Sequence, residues 1–257
     1  MNTHEPTHEA ARPGRQTAAD PLAVVTGASR GLGRALAGGL ARAGWNLVID
    51  ARDRDALRDA AQAIRDQAAP GVTVTDVPGN ITDPAHRGDL SEAAGNQAAL
   101  LVSNAGTLGA TPLPAMADYP LGEFRDAFEV NVVAPVALAQ LFLPRLRENG
   151  GAIVTITSDA ATEPYGGWGG YGAAKAALEQ ASAVLAAEET AVRVWRFDPG
   201  DLRTDMHQAA FPGEDISDRP LPETVVPAFL RLVAERLPSG RYRAAELPGT
   251  AAAAAIR

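Results

Sequence analysis

The 257-residue chain contains no cysteine, which excludes disulfides, thiolate catalysis and any cysteine-built metal site. Histidine is nearly as scarce: there are four, two of them (His4 and His8) within the first ten residues. That leaves too few for a histidine-built metal centre, and no metal is expected. No run reaches the ~20 apolar residues that a membrane span needs. The net charge of −8 argues against a nucleic-acid surface and against anionic membranes. The first twenty residues are polar and lack the apolar stretch of a signal peptide, so they read as a flexible tail and the expected location is cytoplasmic. The most telling scarcity is lysine. Of 23 basic side chains only Lys175 is a lysine.

What is present is an ordinary globular composition, 46% hydrophobic and 21% charged, in a chain long enough for one large α/β domain or two small ones. Short apolar runs read as strands at 21–26, 46–50, 72–77, 99–103, 152–157, 192–197 and 239–244. Helical stretches are expected over 34–43, 54–68, 121–147, 172–188 and 222–237, with Asp83 or Thr82 capping a further helix that begins near Pro84. Asn131 lies inside the long stretch, where Pro135 hints at a local distortion. This alternation predicts a single-domain, Rossmann-type, doubly wound parallel sheet of about seven strands with helices on both faces. It spans 21–248, between flexible tails at 1–20 and 249–257. Gly27, Arg52, Asn80, Asn104, Ser158 and Pro199 each follow a strand, so all six face the rim where such sheets bind ligands.

The first strand runs into Gly27-Ala28-Ser29-Arg30-Gly31-Leu32-Gly33 and then a helix. Strand, glycine-rich turn and helix together make a phosphate-binding loop, because the helix start offers unpaired N–H groups and glycines let the backbone come close. At the end of the second strand an acid would bind a ribose 2′-hydroxyl, whereas arginine accommodates a 2′-phosphate. Asp50 could be read as that acid, but counting along the strand puts Ala51 at its usual place with Arg52 next. Arg30 in the glycine loop adds a second cation on the same side, which favours NADP(H).

The lone lysine ends the stretch Ser158–Lys175, four residues after Tyr171. On a helix that spacing puts phenol and ammonium on one face. A nearby cation favours the phenolate, which would bring Tyr171 toward the range useful for acid–base work. A plain surface Tyr/Lys pair has the same spacing, so the motif does not decide between the two readings by itself.

Taken together, these motifs resemble the classical short-chain dehydrogenase/reductase family over roughly residues 21–242. They are T-G-x-x-x-G-x-G (Thr26–Gly33), N-A-G (Asn104-Ala105-Gly106), the helical Asn131, Ser158 thirteen residues before Tyr171, Y-x-x-x-K (Tyr171–Lys175) and P-G-x-x-x-T (Pro199–Thr204). The resemblance implies hydride transfer between NADP(H) and a small-molecule carbonyl or alcohol, with Tyr171 as general acid/base. Ser158 would stabilise the substrate oxygen. Lys175 would bind the nicotinamide ribose and lower the tyrosine pKa, and Asn131 would hold a water linking Lys175 to solvent. Cofactor contacts would come from Gly27, Ser29, Arg30, Gly31, Leu32, Gly33, Arg52, Asn80, Ile81, Asn104, Ala105, Gly106, Tyr171, Lys175, Pro199, Gly200, Leu202 and Thr204. A homodimer or homotetramer is implied by analogy.

The chain departs from the family pattern at Ser103, where a second asparagine is usual, and at Asn80, where aspartate is commoner. The segment after Ser158 is also its own, with Asp159, Glu163, Tyr165 and Trp168 among glycines. Those side chains could border the substrate or form a surface loop, and Trp168 could pack between subunits. The aperiodic stretch 205–222 reads as a lid over the substrate, with His207 as either an extra acid/base or a solvent-facing residue. A non-redox biosynthetic enzyme and an NADP-binding sensor are compatible with the same fold. A sensor would be expected to lose the tyrosine or lysine, and this chain keeps both.

Overall fold

A computed structural model describes residues 21–247, so both tails lie outside the described residues. Seven strands form one sheet in the order β3-β2-β1-β4-β5-β6-β7, every neighbouring pair parallel. They are β1 (Leu22–Val25), β2 (Asn46–Ala51), β3 (Val74–Pro78), β4 (Ala98–Ser103), β5 (Ala152–Ile156), β6 (Arg193–Asp198) and β7 (Gly240–Arg243). Every residue of β1 and β5 is buried, as the continuous apolar runs require of strands covered on both faces. The strand order reverses between β1 and β4, and that switch point opens a crevice at the carboxyl rim.

Helices cover both faces. On one, α1 (Gly31–Arg42), α2 (Arg54–Arg65) and α8 (Val226–Ala234) bury Leu36, Leu40, Leu57, Ile64, Phe229 and Leu232 against Trp195 and Phe197. On the other, α3 (Pro84–Ala94) and α5 (Ala134–Glu148) bury Leu90, Leu138, Phe142 and Leu146. Asp83 is the cap of α3, its carboxylate accepting from the Ala85 N–H with Pro84 in the first turn. The segment expected as one helix from 222 is a 3₁₀ turn, Pro222–Val225, followed by α8.

The long helical run divides at the predicted place. α4 (Leu121–Phe128) passes through a π turn, Glu129–Val133, into α5, and the Ala134 N–H bonds the Glu129 carbonyl five residues back. Asn131 lies in this bulge rather than in a regular helix. Contrary to the sequence reading, the run Leu121–Glu148 is long and apolar enough to span a membrane by length and composition, with a mean hydropathy of 1.5 over its most apolar window. In the fold, the α5 part of that run lays Leu138, Phe142 and Leu146 on the sheet.

Two boundaries matter for the site. α6 (Gly169–Glu188) begins three residues earlier than expected, so Tyr171 and Lys175 share its first two turns. The stretch read as aperiodic holds a short helix, α7 (Asp205–Ala210), capped by the Thr204 hydroxyl accepting from the His207 N–H.

Candidate active site

The glycine-rich loop is held from below. Asn104 donates its side-chain N–H groups to the Thr26 and Gly27 carbonyls, at 2.8 and 3.1 Å. The Thr26 hydroxyl accepts from the Asn104 and Ala105 N–H groups, both at 3.0 Å. Gly27 has φ +67°, and a Cβ there would lie 2.8 Å from the Ala105 backbone. A Cβ on Gly33 would lie 2.3 Å from the Gly27 carbonyl oxygen, so the helix start and the loop touch through bare backbone. Arg30 begins α1 without a side-chain cap, and no acid occupies the first turn. The leading N–H groups of α1 therefore have no side chain capping them, and the site fits the pyrophosphate of a dinucleotide.

Asp50 is not the ribose acid. It is buried, and its Oδ1 accepts from the Gly27 N–H at 2.7 Å beneath the loop. The side chain after Ala51 is the exposed Arg52. The expected convergence of Arg30 on the same spot is not seen. Arg30 pairs with Asp205 at 3.0 Å, across to the start of α7, with both side chains exposed. Asn80 is also exposed and turns its carbonyl to the Thr82 N–H, while Ile81 is buried beside it.

The fold brings Ser158, Tyr171, Lys175 and Asn131 into one cluster at the carboxyl ends of β4 and β5. Lys175 is buried, donates to the Ile156 carbonyl at 2.8 Å, and lies 5.5 Å from the centre of the Tyr171 ring. Burial pulls its pKa down to about 8. The Tyr171 phenol moves opposite to expectation. Burial pushes its pKa well above the tyrosine range, Asp159 and Asp198 add to that, and only a hydrogen bond with Ser158 opposes them. Tyr171 is partly exposed as a residue, yet burial of its phenol is the largest cause of the rise.

Asn131 is completely buried, with Oδ1 accepting from the Thr107 N–H at 3.0 Å and Nδ2 donating to the Thr107 carbonyl at 2.8 Å. Its side chain thus pins the segment after Asn104-Ala105-Gly106, a job the sequence did not show. Ser158 donates to Asp159 Oδ1 at 2.9 Å, and the other oxygen of Asp159 accepts from the Tyr165 hydroxyl at 3.0 Å. Gly170 and Gly172 are packing devices: a Cβ on Gly170 would sit 2.2 Å from the Tyr119 hydroxyl, and one on Gly172 2.7 Å from the Ala160 carbonyl.

Trp168 stands edge-on to Tyr171, with ring centres 5.7 Å apart, and 5.9 Å from Phe211, so it lines the cleft within this chain. His207 packs against Phe211 at 4.9 Å, and its Nε2 is buried without a hydrogen-bond partner, which overturns the solvent-facing reading. Leu202 is buried, while the Gly200 N–H after Pro199 donates to Asp198 at 3.0 Å.

One residue behind the cluster was invisible as a site residue. Arg241 of β7 donates to Glu179 of α6 at 2.7 Å, to Asp198 at 2.9 Å and to the Ser158 carbonyl at 3.3 Å. A single guanidinium joins the segments that carry Ser158, Tyr171 and Pro199. The available signal was two arginines, Arg241 and Arg243, alternating in the last expected strand.

The profile of the short chain dehydrogenase family matches residues 21–215. Sepiapterin reductase of Bos taurus is 36% identical over 204 residues, covering 74% of this chain and 75% of that protein. Among solved structures, an alcohol dehydrogenase from the archaeon Thermococcus sibiricus, complexed with 5-hydroxy-NADP, aligns with TM-score 0.77 at 26% identity over 87% of this chain and 95% of that one. A short-chain dehydrogenase from Escherichia coli CFT073, complexed with NADPH, aligns with TM-score 0.78 at 28% identity over 88% of this chain and 96% of that one.

Proposed function

The chain belongs to the short-chain dehydrogenase family of oxidoreductases, and on that premise we propose that it transfers hydride between NADP(H) and a small carbonyl or alcohol. The observation that carries this reading is the cluster itself: Ser158, Tyr171 and a buried Lys175 at the rim beside an uncapped phosphate loop. Bound NADPH supplies a hydride to the carbonyl carbon.

The chain's own groups hold and protonate. With its pKa raised, Tyr171 stays a neutral phenol at neutral pH and can give its proton to the carbonyl oxygen as charge develops there. Ser158, whose hydroxyl now faces Asp159, turns to donate to the same oxygen. Lys175 gives one proton to the Ile156 carbonyl and would keep the others for a ribose hydroxyl. Asn131, through Thr107, fixes the loop that closes this side of the cofactor cleft.

Two features support NADP(H) over NAD(H): Asp50 is turned inward, and the exposed Arg52 follows directly on β2, where arginine would accommodate a 2′-phosphate. The supporting relatives were solved with NADPH and an NADP derivative. Trp168, Phe211 and Tyr165 make the mouth aromatic, which suits a flat carbonyl substrate. The test is a panel of aliphatic and aromatic ketones with NADPH, followed by cofactor absorbance. Consumption on the aromatic members is expected, and no consumption on any carbonyl would remove the hydride-transfer reading.

A further inference from the structure

Outside the tail there are two histidines, and one of them, His86 on α3, has no part in the chemistry above. It is 4% exposed, and its Nε2 lies 3.0 Å from Asp50 Oδ2, itself on a residue 2% exposed. The carboxylate already accepts from the Gly27 N–H through its other oxygen at 2.7 Å. A carboxylate has no proton to give, so Nε2–H is the donor and the three groups form a chain, His86 to Asp50 to Gly27. The Asp50 backbone adds a second hold, its carbonyl accepting from the Ala28 N–H at 2.8 Å.

The other edge of the imidazole meets the turn after β3. A Cβ on Gly79 would lie 2.2 Å from His86 Nδ1, so this ring and that glycine fit each other. Gly79 leads directly into Asn80 and Ile81, the residues expected beside the adenine. One buried side chain therefore touches the adenine side of the cleft and, through Asp50, supports the first glycine of the phosphate loop.

We propose that His86 and Asp50 are a positioning pair for the dinucleotide, holding the Gly27 amide and the Gly79–Ile81 turn in the relative placement that binds NADP(H). The pair touches no reacting atom and sets cofactor affinity rather than the chemical step. Burying a carboxylate is costly unless its hydrogen bonds are made, and this one has Gly27 and His86 to make them. The proposal rests on the NADP(H) reading only for where the cofactor lies. The hold on Gly27 is a property of the unliganded protein.

The test compares wild type with His86→Leu, which removes the donor, and Asp50→Asn, which keeps the shape and an acceptor for Gly27. NADPH affinity is read by fluorescence titration, and amide exchange of the peptide spanning residues 22–33 is read in the NADPH-free protein. His86→Leu is expected to weaken NADPH at least about ten-fold and to speed exchange at Gly27, with turnover at saturating NADPH unchanged. Asp50→Asn should remain within about three-fold of wild type on both readouts. If His86→Leu does not fold, the double variant Asp50→Leu/His86→Leu removes both partners together, which buried pairs tolerate better. It is expected to show the same fast exchange and weak binding. A folded His86→Leu or double variant with wild-type exchange at Gly27 and wild-type NADPH affinity would overturn the proposal. A wild type that ignores NADPH would instead overturn the cofactor reading, leaving the exchange measurement to judge the pair by itself.

Discussion

The hydroxyl of Ser158 donates to the carboxylate of its own neighbour, Asp159, at 2.9 Å. The residue expected to stabilise a developing negative charge is therefore tied to a standing one. Asp159 is held in place by the Ala160 N–H at 2.8 Å and the Tyr165 hydroxyl at 3.0 Å, so the arrangement is built rather than incidental. Its charge also helps keep the Tyr171 phenol protonated.

Replacing Asp159 with asparagine removes that charge and leaves the shape. The sign follows directly: with less negative charge nearby, the phenolate of Tyr171 forms at lower pH. Alcohol oxidation, which needs the phenolate to accept a proton, should then rise at lower pH in Asp159→Asn than in wild type. Paired pH profiles of oxidation check this, and superimposable profiles would remove Asp159 from the account.

Lys175 costs stability where it sits. Its folded pKa is pulled down to about 8 by burial, a penalty of about 3 kcal/mol, offset by about 1 for its bond to the Ile156 carbonyl. Lys175→Met is therefore expected to raise the melting temperature by several degrees at pH 7 while abolishing turnover. The penalty is fully present below about pH 8 and fades as pH rises toward the ordinary lysine range, because the folded chain sheds its proton first. Melting curves at several pH values test both parts. Lys175→Arg should also be severely impaired, since a planar fork cannot replace a compact ammonium.

Arg241 holds three site segments without touching substrate. Arg241→Met leaves Glu179 and Asp198 without it and should cost about 2–3 kcal/mol in denaturant unfolding. Loosening Ser158 against α6 should also lower kcat by about ten-fold or more, with NADPH affinity little changed. A variant that is less stable but turns over like wild type would make Arg241 purely structural.

Arg52 should carry most of the preference between cofactors, because Arg30 is engaged with Asp205. Arg52→Ala is expected to weaken NADPH about ten-fold or more and to leave NADH nearly unchanged. Parallel titrations with the two cofactors check it; Arg30→Ala having the larger effect would restore the two-arginine picture.

The sheet and the order of motifs were legible because buried parallel strands are continuous apolar runs and strand ends share a rim. The Tyr171–Lys175 pair was legible because helical spacing puts both side chains on one face, whereas Ser158, outside that helix, was legible only through the family resemblance. What sequence could not show were contacts across the fold. Asp50 faced inward to Gly27, Asn131 spent its side chain on Thr107, and His86 and Arg241 acted from elements read only as scaffold. The direction of the Tyr171 shift was missed for a related reason. Spacing shows that Lys175 is near, but how dry the phenol is depends on the whole surrounding fold.

Tyr171 is the proposed proton donor in carbonyl reduction by hydride transfer. Tyr171→Phe removes one hydroxyl and nothing else, so NADPH affinity should stay near wild type. Measured with a ketone that the wild type reduces, the rate of NADPH consumption should fall by about a hundred-fold or more. Consumption close to the wild-type rate would show that another group supplies the proton, and would contradict the account.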